Sequence, residues 1–542
     1  MSSRCILVAA TVAMLHSVFV THCQAQPTLV YIESLDELND DAEYLARRIG
    51  LRDVLSVFQA VASAATGGRF TDAIDEDEPL GLYVADESDD LEDETAVVFL
   101  PLEDREEFLD LLETIGRPSR SDRDGLRVID NIGGDIFLRF ANGYVYCAMD
   151  RDALPRSISK PATLLPKDHD GTGFFVRWNS QQLSGDSNPV AELVGAVLDE
   201  PFGSRRDSRF HGLALFNLGP YARGIDLFEV RLRVDRKLDR ITLKSSLTPN
   251  KDSRLAEDIG KFQTGTTPLQ AYADGAAVFL HTSVPLRDHL RDAFEIFRSP
   301  SRKADQDDES DDDDDRYFSD LLDAVSTGIP KDRLDLGFVI TNGTDNERRV
   351  LLGLGIDEGD RLADRLDSLY EDVSGSIPKS PDVKDGDTKT SWQPRRAFLW
   401  ESPGARSDTR YFDGRDVHMF VSPDYLVIAI EESGNRSLRT TAKTLTAATE
   451  PLPPVRLEMQ IDKLGQFLGG HAERRADRVF SGDTRNRDRI RAEVSRTDRT
   501  LHVDFSLDTA VIEFFTDVPW KSLSWSRADD DDADSDDASD GE

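Results

Sequence analysis

The sequence predicts an α+β fold made of two similar halves, each an antiparallel sheet covered by amphipathic helices. Val230–Leu247 aligns with Ile490–Leu507 without a gap, and five of the 18 aligned positions are identical. Strand, hairpin and helix signals also follow one another in the same order in both halves. Hairpin turns such as Asn142-Gly143 require antiparallel strands. Together these observations predict an internal duplication.

Length and composition divide the chain further. A chain of 542 residues is too long for one hydrophobic core, so at least two domains are expected. We predict a leader at 1–25, a first half at 27–265 and a second half at 268–520. The second half is predicted to contain an acidic insertion at 301–316, and an acidic tail at 521–542 follows it. Each contains nine Asp or Glu residues, and such runs bury no apolar area, so both are predicted to be disordered.

Each half is predicted to begin with a strand and a helix. Leu29–Ile32 is apolar, and Ser34 with Glu37 matches a capping box at a helix start. The following apolar residues have helical spacing: Leu35, Leu38, Ala42, Leu45 and Ile49. In the second half the strand is Ala276–His281, and Pro285 lies near the start of the helix. The stripe of that helix is Leu286, Leu290, Phe294 and Phe297.

A strand pair and another helix come next in both halves. Leu80–Val84 corresponds to Leu336–Ile340, and Ala96–Leu100 corresponds to Val350–Leu354. The helix of the first half is indicated by Phe108, Leu109, Leu112 and Ile115. The helix of the second half is indicated by Leu362, Leu366 and Leu369.

A hairpin, a single strand and the repeated stretch complete each half. The hairpin strands are Ile136–Phe140 and Tyr144–Ala148 in the first half, and Val417–Val421 and Tyr425–Ile430 in the second. The single strands are Phe174–Trp178 and Val455–Met459. Tyr144 aligns with Tyr425. Alternation of apolar and polar residues predicts one buried face per sheet.

The N-terminus predicts export, to the periplasm or the extracellular space. Arg4 precedes the largely apolar stretch Cys5–Val20, and Cys23 and Ala25 are the small residues of a cleavage site. Cleavage is predicted between Ala25 and Gln26. It would leave Cys147 as the sole cysteine, so no intrachain disulfide is expected. No later segment has the length and apolar character of a spanning helix.

The net charge of −38 excludes several classes of partner. Nucleic acids and anionic membrane surfaces need a basic footprint, which an acidic body does not supply. The acidic runs are expected to attract divalent cations only weakly. A specific calcium site needs fixed oxygens and a turn glycine at Asp-x-Asp-x-Asp-Gly spacing, which the runs lack.

Two short motifs suggest chemistry, but we interpret both as ordinary structure. Gly353, Gly355 and Gly359 follow a strand and open a helix, as phosphate-binding glycines do. The spacing differs from the standard forms, and the neighbouring Asp357 and Glu358 would repel a phosphate. Ser157–Lys160 has the Ser-x-x-Lys pattern of penicillin-recognising enzymes. The Ser-Asp-Asn and Lys-Thr-Gly elements of those enzymes are missing, so a polar loop is favoured.

The remaining reactive residue types have no catalytic spacing. Nine histidines are scattered, without a His-Glu-x-x-His motif. Cys147 lies inside a hairpin strand, where a buried, inert thiol is expected. Tyr144, Tyr146 and Tyr425 are interpreted as strand residues with polar tips. We therefore predict no catalytic, cofactor-binding or metal-binding residue, although a catalytic triad assembled from distant residues stays open.

These observations favour an exported, non-catalytic binding or structural protein of the cell envelope or extracellular space. Its ligand, a protein or a small molecule, is not specified by the sequence. One alternative is a secreted hydrolase that uses a dispersed carboxylate acid/base pair, since suitable carboxylates are abundant. Such an enzyme needs a pocket that contains carboxylates with raised pKa values. A second alternative is a protein that responds weakly to divalent cations.

Overall fold

The computed structural model describes most of the predicted elements and divides them between two compact units. Unit 1 comprises Met1–Ile259 and Thr497–Glu513, and unit 2 comprises Gly260–Arg496 and Phe514–Glu542. The described residues are 29–48, 73–84, 96–114, 118–129, 135–154, 156–164, 173–179, 224–285, 324–325, 328–330, 332–342, 348–373, 396–400, 415–432, 441, 445, 450–480 and 487–516. The predicted cleavage site at Ala25 and Gln26, both acidic runs and the helix predicted after Pro285 lie outside them.

Among the described residues, strands are more numerous than helices, and several strands follow one another without an α-helix between them. Strands β1 to β10 are Leu29–Ile32, Leu80–Val84, Ala96–Pro101, Ser119–Ser121, Arg127–Ile129, Ile136–Ala141, Tyr144–Ala148, Phe174–Asn179, Ile225–Asp235 and Arg240–Pro249. Strands β11 to β19 are Val278–Pro285, Arg333–Asn342, Arg348–Gly355, Arg396–Trp400, Arg415–Val421, Tyr425–Glu432, Val455–Gln460, Arg489–Thr497 and Thr500–Asp508. Helices α1 to α7 are Leu35–Arg48, Arg105–Thr114, Arg254–Gly260, Gly359–Val373, Ile461–Leu468, Gly470–Phe480 and Thr509–Thr516.

Each unit is built on an antiparallel sheet, so the fold class is α+β, as the sequence predicts. In unit 1 the strands pair in the order β4-β5-β6-β7-β3-β2-β1-β8-β9-β10-β19. In unit 2 the order is β14-β15-β16-β13-β12-β11-β17-β18. Strand β19, the last in the described residues, thus pairs at the edge of the unit 1 sheet.

Local sequence signals account for several element boundaries. The hydroxyl of Ser34 accepts a hydrogen bond from the amide of Glu37 at 2.9 Å, which caps α1 as predicted. Asn142 and Gly143 have φ values of 55° and 83° between β6 and β7. Only the left-handed region permits such a two-residue turn, so the Asn-Gly pair fits this hairpin.

Unit 1 buries both faces of its sheet. All four residues of Leu29–Ile32 are buried, although alternation predicted one buried face. On one face, Leu35 of α1 and Phe108 of α2 pack with Ile32 and Val145. The aromatic side chains of the other face pack with Leu126, Ala153, Leu154, Ile158 and Leu164. Burial on both faces makes the period-two signal of the central strands incomplete.

Unit 2 has a corresponding helix layer and a different opposite layer. Leu362 and Leu366 of α4 pack on Met419 and Leu426. On the other face, the 3-10 helix Pro268–Gly275 inserts side chains that include Leu269 between the strands. The hydroxyl of Thr267 caps this 3-10 helix by accepting from the amide of Leu269.

The strand predicted at Ala276–His281 begins and ends later than expected. It runs as Val278–Pro285, because the preceding residues finish the 3-10 helix. The amide of Ala276 donates to the carbonyl of Ala273 in that last turn. Within the described residues, the helices are too short or too polar to span a membrane.

Candidate functional site

The glycine-rich segment after β13 serves close packing. A Cβ atom at Gly353 would lie 2.8 Å from Cε1 of Tyr425, and one at Gly359 would lie 1.9 Å from the backbone oxygen of Ser422. The amide of Gly359 donates to the carbonyl of Pro423 at 2.9 Å. This amide is therefore engaged in a strand-to-helix turn, in agreement with the ordinary structural interpretation.

The Ser157–Lys160 segment is a surface loop that packs on tyrosines. The hydroxyl of Tyr146 donates to the carbonyl of Ser159 at 3.2 Å, and the side-chain amide of Asn142 donates to the carbonyl of Ile158. Ser157, Ser159 and Lys160 are exposed. The loop lacks the helix on which a Ser-x-x-Lys nucleophile acts, since a 3-10 turn begins at Pro161.

The predicted tyrosines and cysteine are parts of strands. Tyr144 donates to Oε2 of Glu78 at 3.3 Å, and its ring lies 6.0 Å from that of Tyr146. Tyr425 is buried in unit 2, and burial raises its pKa. Cys147 packs against the helix-covered core of unit 1, and burial raises the pKa of its thiol to about 12. The cysteine is thus a thiol at neutral pH, as expected for a structural residue.

Of the histidines, His281 alone among those with described side chains is buried. His471 is exposed in α6, and His502 is half-buried in β19. His418 is in β15, where its backbone pairs with Ala429. His16, His22, His169, His211 and His289 lie outside the described residues.

Unit 2 contains a group of buried polar side chains that we call the His281 cluster, formed by His281, Ser283 and Asp335. His281 and Ser283 are two residues apart in β11 and share one face of the sheet. Asp335 lies directly opposite Ser283 in the β11–β12 register. Alternation along one strand and pairing with the next therefore bring the three side chains together.

The His281 cluster is sealed from solvent. His281 and Ser283 are 0% exposed, and Asp335 is 7% exposed. A Cβ atom at Gly265 would lie 2.9 Å from both Nε2 of His281 and Cβ of Ser283. Gly265 is held in place by two backbone hydrogen bonds with Leu452. The absent side chain at Gly265 thus lets the backbone close over the histidine.

Burial determines the protonation of His281. It lowers the pKa of the imidazole to about 4, because the charged form loses its hydration. Asp335 opposes this shift, whereas Arg333 and Arg456 add to it. Arg333 pairs with Oδ2 of Asp335 at 2.5 Å, and Arg456 pairs with Glu458 at 3.1 Å. The imidazole is neutral at pH 7.

The His281 cluster has the residue types of a catalytic triad without its hydrogen bonds. Among the described residues, both ring nitrogens of His281, Oγ of Ser283 and Oδ1 of Asp335 have no hydrogen-bond partner. A serine nucleophile needs a base within hydrogen-bond reach and a path for substrate. In this arrangement His281 neither accepts from Ser283 nor donates to Asp335.

Unit 1 contains a carboxyl group with a perturbed pKa. Burial raises the pKa of Asp41 in α1 to about 6, and the nearby Glu37 and Asp40 contribute to the increase. Arg236 opposes the shift, with Nε 3.1 Å from Oδ1 of Asp41. Carboxyl groups with pKa values near 6 are suited to general acid catalysis.

An open polar cavity of about 650 Å³ lies elsewhere in unit 1. Its lining residues are Asp226, Asn250, Lys251, Asp252, Ser253 and Arg499. Asp226 and Arg499 approach each other to 3.6 Å across it. Asp41 does not line this cavity. Within the part of the chain that the structure describes, no group of three or more His, Cys, Asp or Glu residues is arranged to hold a metal ion.

Comparisons with models of protein families, with curated proteins and with solved structures found no match to this chain.

Sequence reasoning missed the His281 cluster. The signal in the sequence was limited to three consecutive polar residues, His281, Thr282 and Ser283, between apolar residues of the strand. Asp335 lies 52 residues after Ser283, and only the strand register reveals that they are opposite. Asp41 was missed because its neighbours along α1 are also acidic, and burial alone distinguishes it.

Proposed function

We propose that this chain is an exported, non-catalytic binding or structural protein of the cell envelope or extracellular space. The observation that carries the non-catalytic part is the sealed His281 cluster. Its Ser, His and Asp residues lie together but are closed off beneath Gly265 and share no hydrogen bond. The exported part rests on the leader that ends at Ala25. The partner is proposed to be a protein or a small molecule, not a nucleic acid or an anionic membrane.

We infer that the two units are copies of one ancestral unit. The order β6-β7-β3-β2-β1-β8-β9 has the same pattern as β15-β16-β13-β12-β11-β17-β18. In the β10–β19 ladder, Lys244 lies opposite Asp504, and the repeated stretch aligns the same two residues.

The open cavity of unit 1 is the proposed contact for a polar ligand. It combines two carboxylates, Asp226 and Asp252, with the cations of Lys251 and Arg499. Ligand sites position a few polar groups of this kind in a concave surface. A ligand with both donor and acceptor groups matches this lining.

The experiment expresses the full-length chain, beginning at Met1, and purifies the protein that is secreted. We expect N-terminal sequencing to begin at Gln26 and no turnover of generic ester, peptide, phosphate or glycoside substrates. Retention of residues 1–25 would contradict export with cleavage. Turnover of any one substrate class above a no-protein blank would contradict a non-catalytic function.

A secreted hydrolase is the second candidate, and the raised pKa of Asp41 favours it. In that function the protonated Asp41 donates a proton to the leaving group. The Asp41→Asn variant should then lose at least 10²-fold in turnover. Asp40→Asn is the matched control, since its carboxylate is an exposed neighbour that also binds Arg236.

Weak binding of divalent cations at the acidic runs is a third proposal. Calorimetry with calcium at two salt concentrations tests it.

A further inference from the structure

The open cavity of unit 1 lies beside a β-bulge. Leu227 of β9 pairs with Thr248 of β10, and the next pair joins Ile225 to Pro249. Asp226 is therefore an extra residue of β9 without a counterpart on β10. A β-bulge bends its strand and redirects a side chain, and bulges are frequent beside functional sites. Here the bulge places the side chain of Asp226 in the lining of the cavity.

The loop after β10 forms another side of the cavity and is held by hydrogen bonds. The amide of Asn250 donates to the carbonyl of Gly224 at 2.7 Å. The hydroxyl of Ser253 donates to the carbonyl of Asn250 at 2.7 Å and accepts from the amide of Ala256 at 3.1 Å. The Ser253 hydroxyl is therefore engaged in the local turn, and the groups of the lining that remain for a ligand are mainly charged.

Arg499 enters the lining from the turn that precedes β19. The hydroxyl of the next residue, Thr500, lies 2.9 Å from the hydroxyl of Thr248, which fixes the start of β19 to β10. Nη2 of Arg499 lies 3.6 Å from Oδ2 of Asp226, farther than the roughly 2.7–3.2 Å of a direct hydrogen bond. The Asp226 side chain is 17% exposed and that of Arg499 is 42% exposed, so the carboxylate is the more buried of the two groups.

The charges of the lining restrict the class of ligand. Two carboxylates, Asp226 and Asp252, face two cations, Lys251 and Arg499. A simple anion would be repelled by these carboxylates and by the net charge of −38, and a simple cation would be repelled by Lys251 and Arg499. A molecule that has both charges finds a partner for each. The volume of about 650 Å³ is within the range of roughly 300–1,000 Å³ for small-molecule sites.

We propose that this cavity binds a small zwitterion of the α-amino-acid type. Its ammonium group pairs with the carboxylate of Asp226. Its carboxylate pairs with the guanidinium of Arg499, whose geometry suits two parallel hydrogen bonds to one carboxylate. Lys251 and Asp252 are exposed, so water screens their contributions. This inference rests on the proposed function, because it specifies the polar ligand of the same cavity.

The test is ligand-observed NMR of the purified chain with the common amino acids, followed by calorimetry with the tightest binder. We expect the free amino acid to bind. Its N-acetyl and amide derivatives each lack one of the two charges and should bind about tenfold more weakly or worse.

Variants of the lining locate the binding. Asp226→Asn and Arg499→Gln should each weaken binding of the amino acid by about tenfold or more. Asp252→Asn is the matched control, since this exposed carboxylate lies in the same lining and its loss should change affinity less than about threefold. Arg499→Gln alters an exposed side chain, so it decides the result if Asp226→Asn disturbs the bulge.

Three results would overturn the zwitterion site. They are no binding of any amino acid, an N-acetyl derivative that binds as tightly as the free amino acid, and an unchanged affinity in folded Arg499→Gln. None of them bears on export or on the absence of turnover, which N-terminal sequencing and the substrate assays test separately. Failure of the ligand assignment and failure of the proposed function are therefore distinguishable.

Discussion

A row of residues across the sheet of unit 1 is rich in aromatic rings, whereas a row across the sheet of unit 2 contains two glycines and no phenylalanine or tyrosine ring. In unit 1 the row across β1, β2, β3 and β7 is Tyr31, Gly81, Phe99 and Tyr146. In unit 2 the row across β11, β12, β13 and β16 is His281, Gly337, Gly353 and Val427. Both rows have a glycine on their second strand. The aromatic rings of the first row are replaced by a histidine, a glycine and a valine in the second.

This difference determines what lies against each sheet. In unit 1 the rings of Phe99 and Tyr144, 6.3 Å apart, form the core themselves. In unit 2 the 3-10 helix occupies the space above the glycines. A Cβ atom added at Gly353 would lie only 3.2 Å from Cδ1 of Leu269. One sheet layout thus accommodates either an aromatic core or a core with polar groups. The polar groups of the row are tyrosine hydroxyls in unit 1 and an imidazole in unit 2.

The largest expected effect is the loss of an aromatic ring from the unit 1 row. Phe99→Ala should cost about 3–5 kcal/mol of unfolding free energy, because it empties a fully buried site. Calorimetry should show the loss in the transition of unit 1. Leu352→Ala in unit 2 is the control, since Leu352 is 37% exposed and should lose far less. Equal losses of unfolding free energy in the two variants would show that the ring of Phe99 contributes no more to stability than an exposed leucine.

Acidification should weaken unit 2. The pKa of His281 is about 4 in the folded protein and 6.5 ordinarily, so the unfolded chain binds an extra proton between these values. Stability of unit 2 should therefore fall as pH falls from 6.5 to 4, by up to about 3 kcal/mol. Calorimetry at pH 7 and 4.5 measures this change. In His281→Gln the dependence should flatten, and an unchanged dependence would contradict the assignment.

Asp41 has the opposite effect on the stability of unit 1 over part of this pH range. Its pKa is raised from 3.8 to about 6, so the folded state binds the extra proton between these values. Lowering the pH from 6 therefore favours folded unit 1 through this group. The Asp41→Asn variant removes the contribution. Its unit 1 transition should then lose stability more steeply on acidification than the wild-type transition does.

The shared glycine should tolerate a methyl group differently in the two units. A Cβ atom at Gly81 would lie 2.0 Å from the backbone oxygen of Val30, which cannot move alone. Gly81→Ala should cost about 3 kcal/mol or more. At Gly337 the nearest atom is the side-chain oxygen of Thr267 at 2.9 Å, so Gly337→Ala should cost about 1 kcal/mol.

Denaturant unfolding of both variants measures that difference. Gly260→Ala is the control, since a Cβ atom there meets nothing within 4 Å, and its effect should be close to zero. A larger cost at Gly337 than at Gly81 would mean that the 3-10 helix of unit 2 is the more rigid layer.

The smallest expected effect is the loss of one hydroxyl group, that of Tyr44, from a hydrogen-bonded group in unit 1. Tyr44 donates to Oδ1 of Asp239 at 2.5 Å and lies 2.8 Å from the hydroxyl of Thr509. Tyr44→Phe should cost about 1 kcal/mol, because Arg48 still pairs with Asp239. Thermal unfolding measures this loss of stability. Leu238→Ala is the control, because Leu238 lies in the same turn as Asp239 and is 59% exposed. No loss in Tyr44→Phe would show that water replaces the hydroxyl.

Local patterns predicted much of the fold. The capping box at Ser34, the Asn142-Gly143 turn and the stripe of α4 are each decided within a few residues, and the structure contains all three. The sequence alignment of the repeated stretch has no gap, but the two hairpins differ in the length of their turns. The turn between β9 and β10 has four residues, and the turn between β18 and β19 has two. When the strands are instead compared by their pairing with β8 and β17, Leu232 corresponds to Val494.

The candidate site was harder to predict than the elements. The His281 cluster depends on the register between β11 and β12, which are separated by many residues, and on Gly265, which covers it. Neither relation leaves a pattern within a single segment. The pKa shifts of His281 and Asp41 depend on burial, which the residue type does not reveal. Spacing within the sequence was thus sufficient for secondary structure and insufficient for the interior polar groups.

The position of β19 has a consequence for the order in which the protein folds during its synthesis. Residues Arg240–Leu247 of β10 pair with Leu501–Asp508 of β19. A chain that is synthesised from its N-terminus exposes this edge of β10 for more than 250 residues before its partner emerges. An unpaired edge is a template for association with other chains. The β10 edge of the unit 1 sheet therefore needs protection from other chains until synthesis is almost finished.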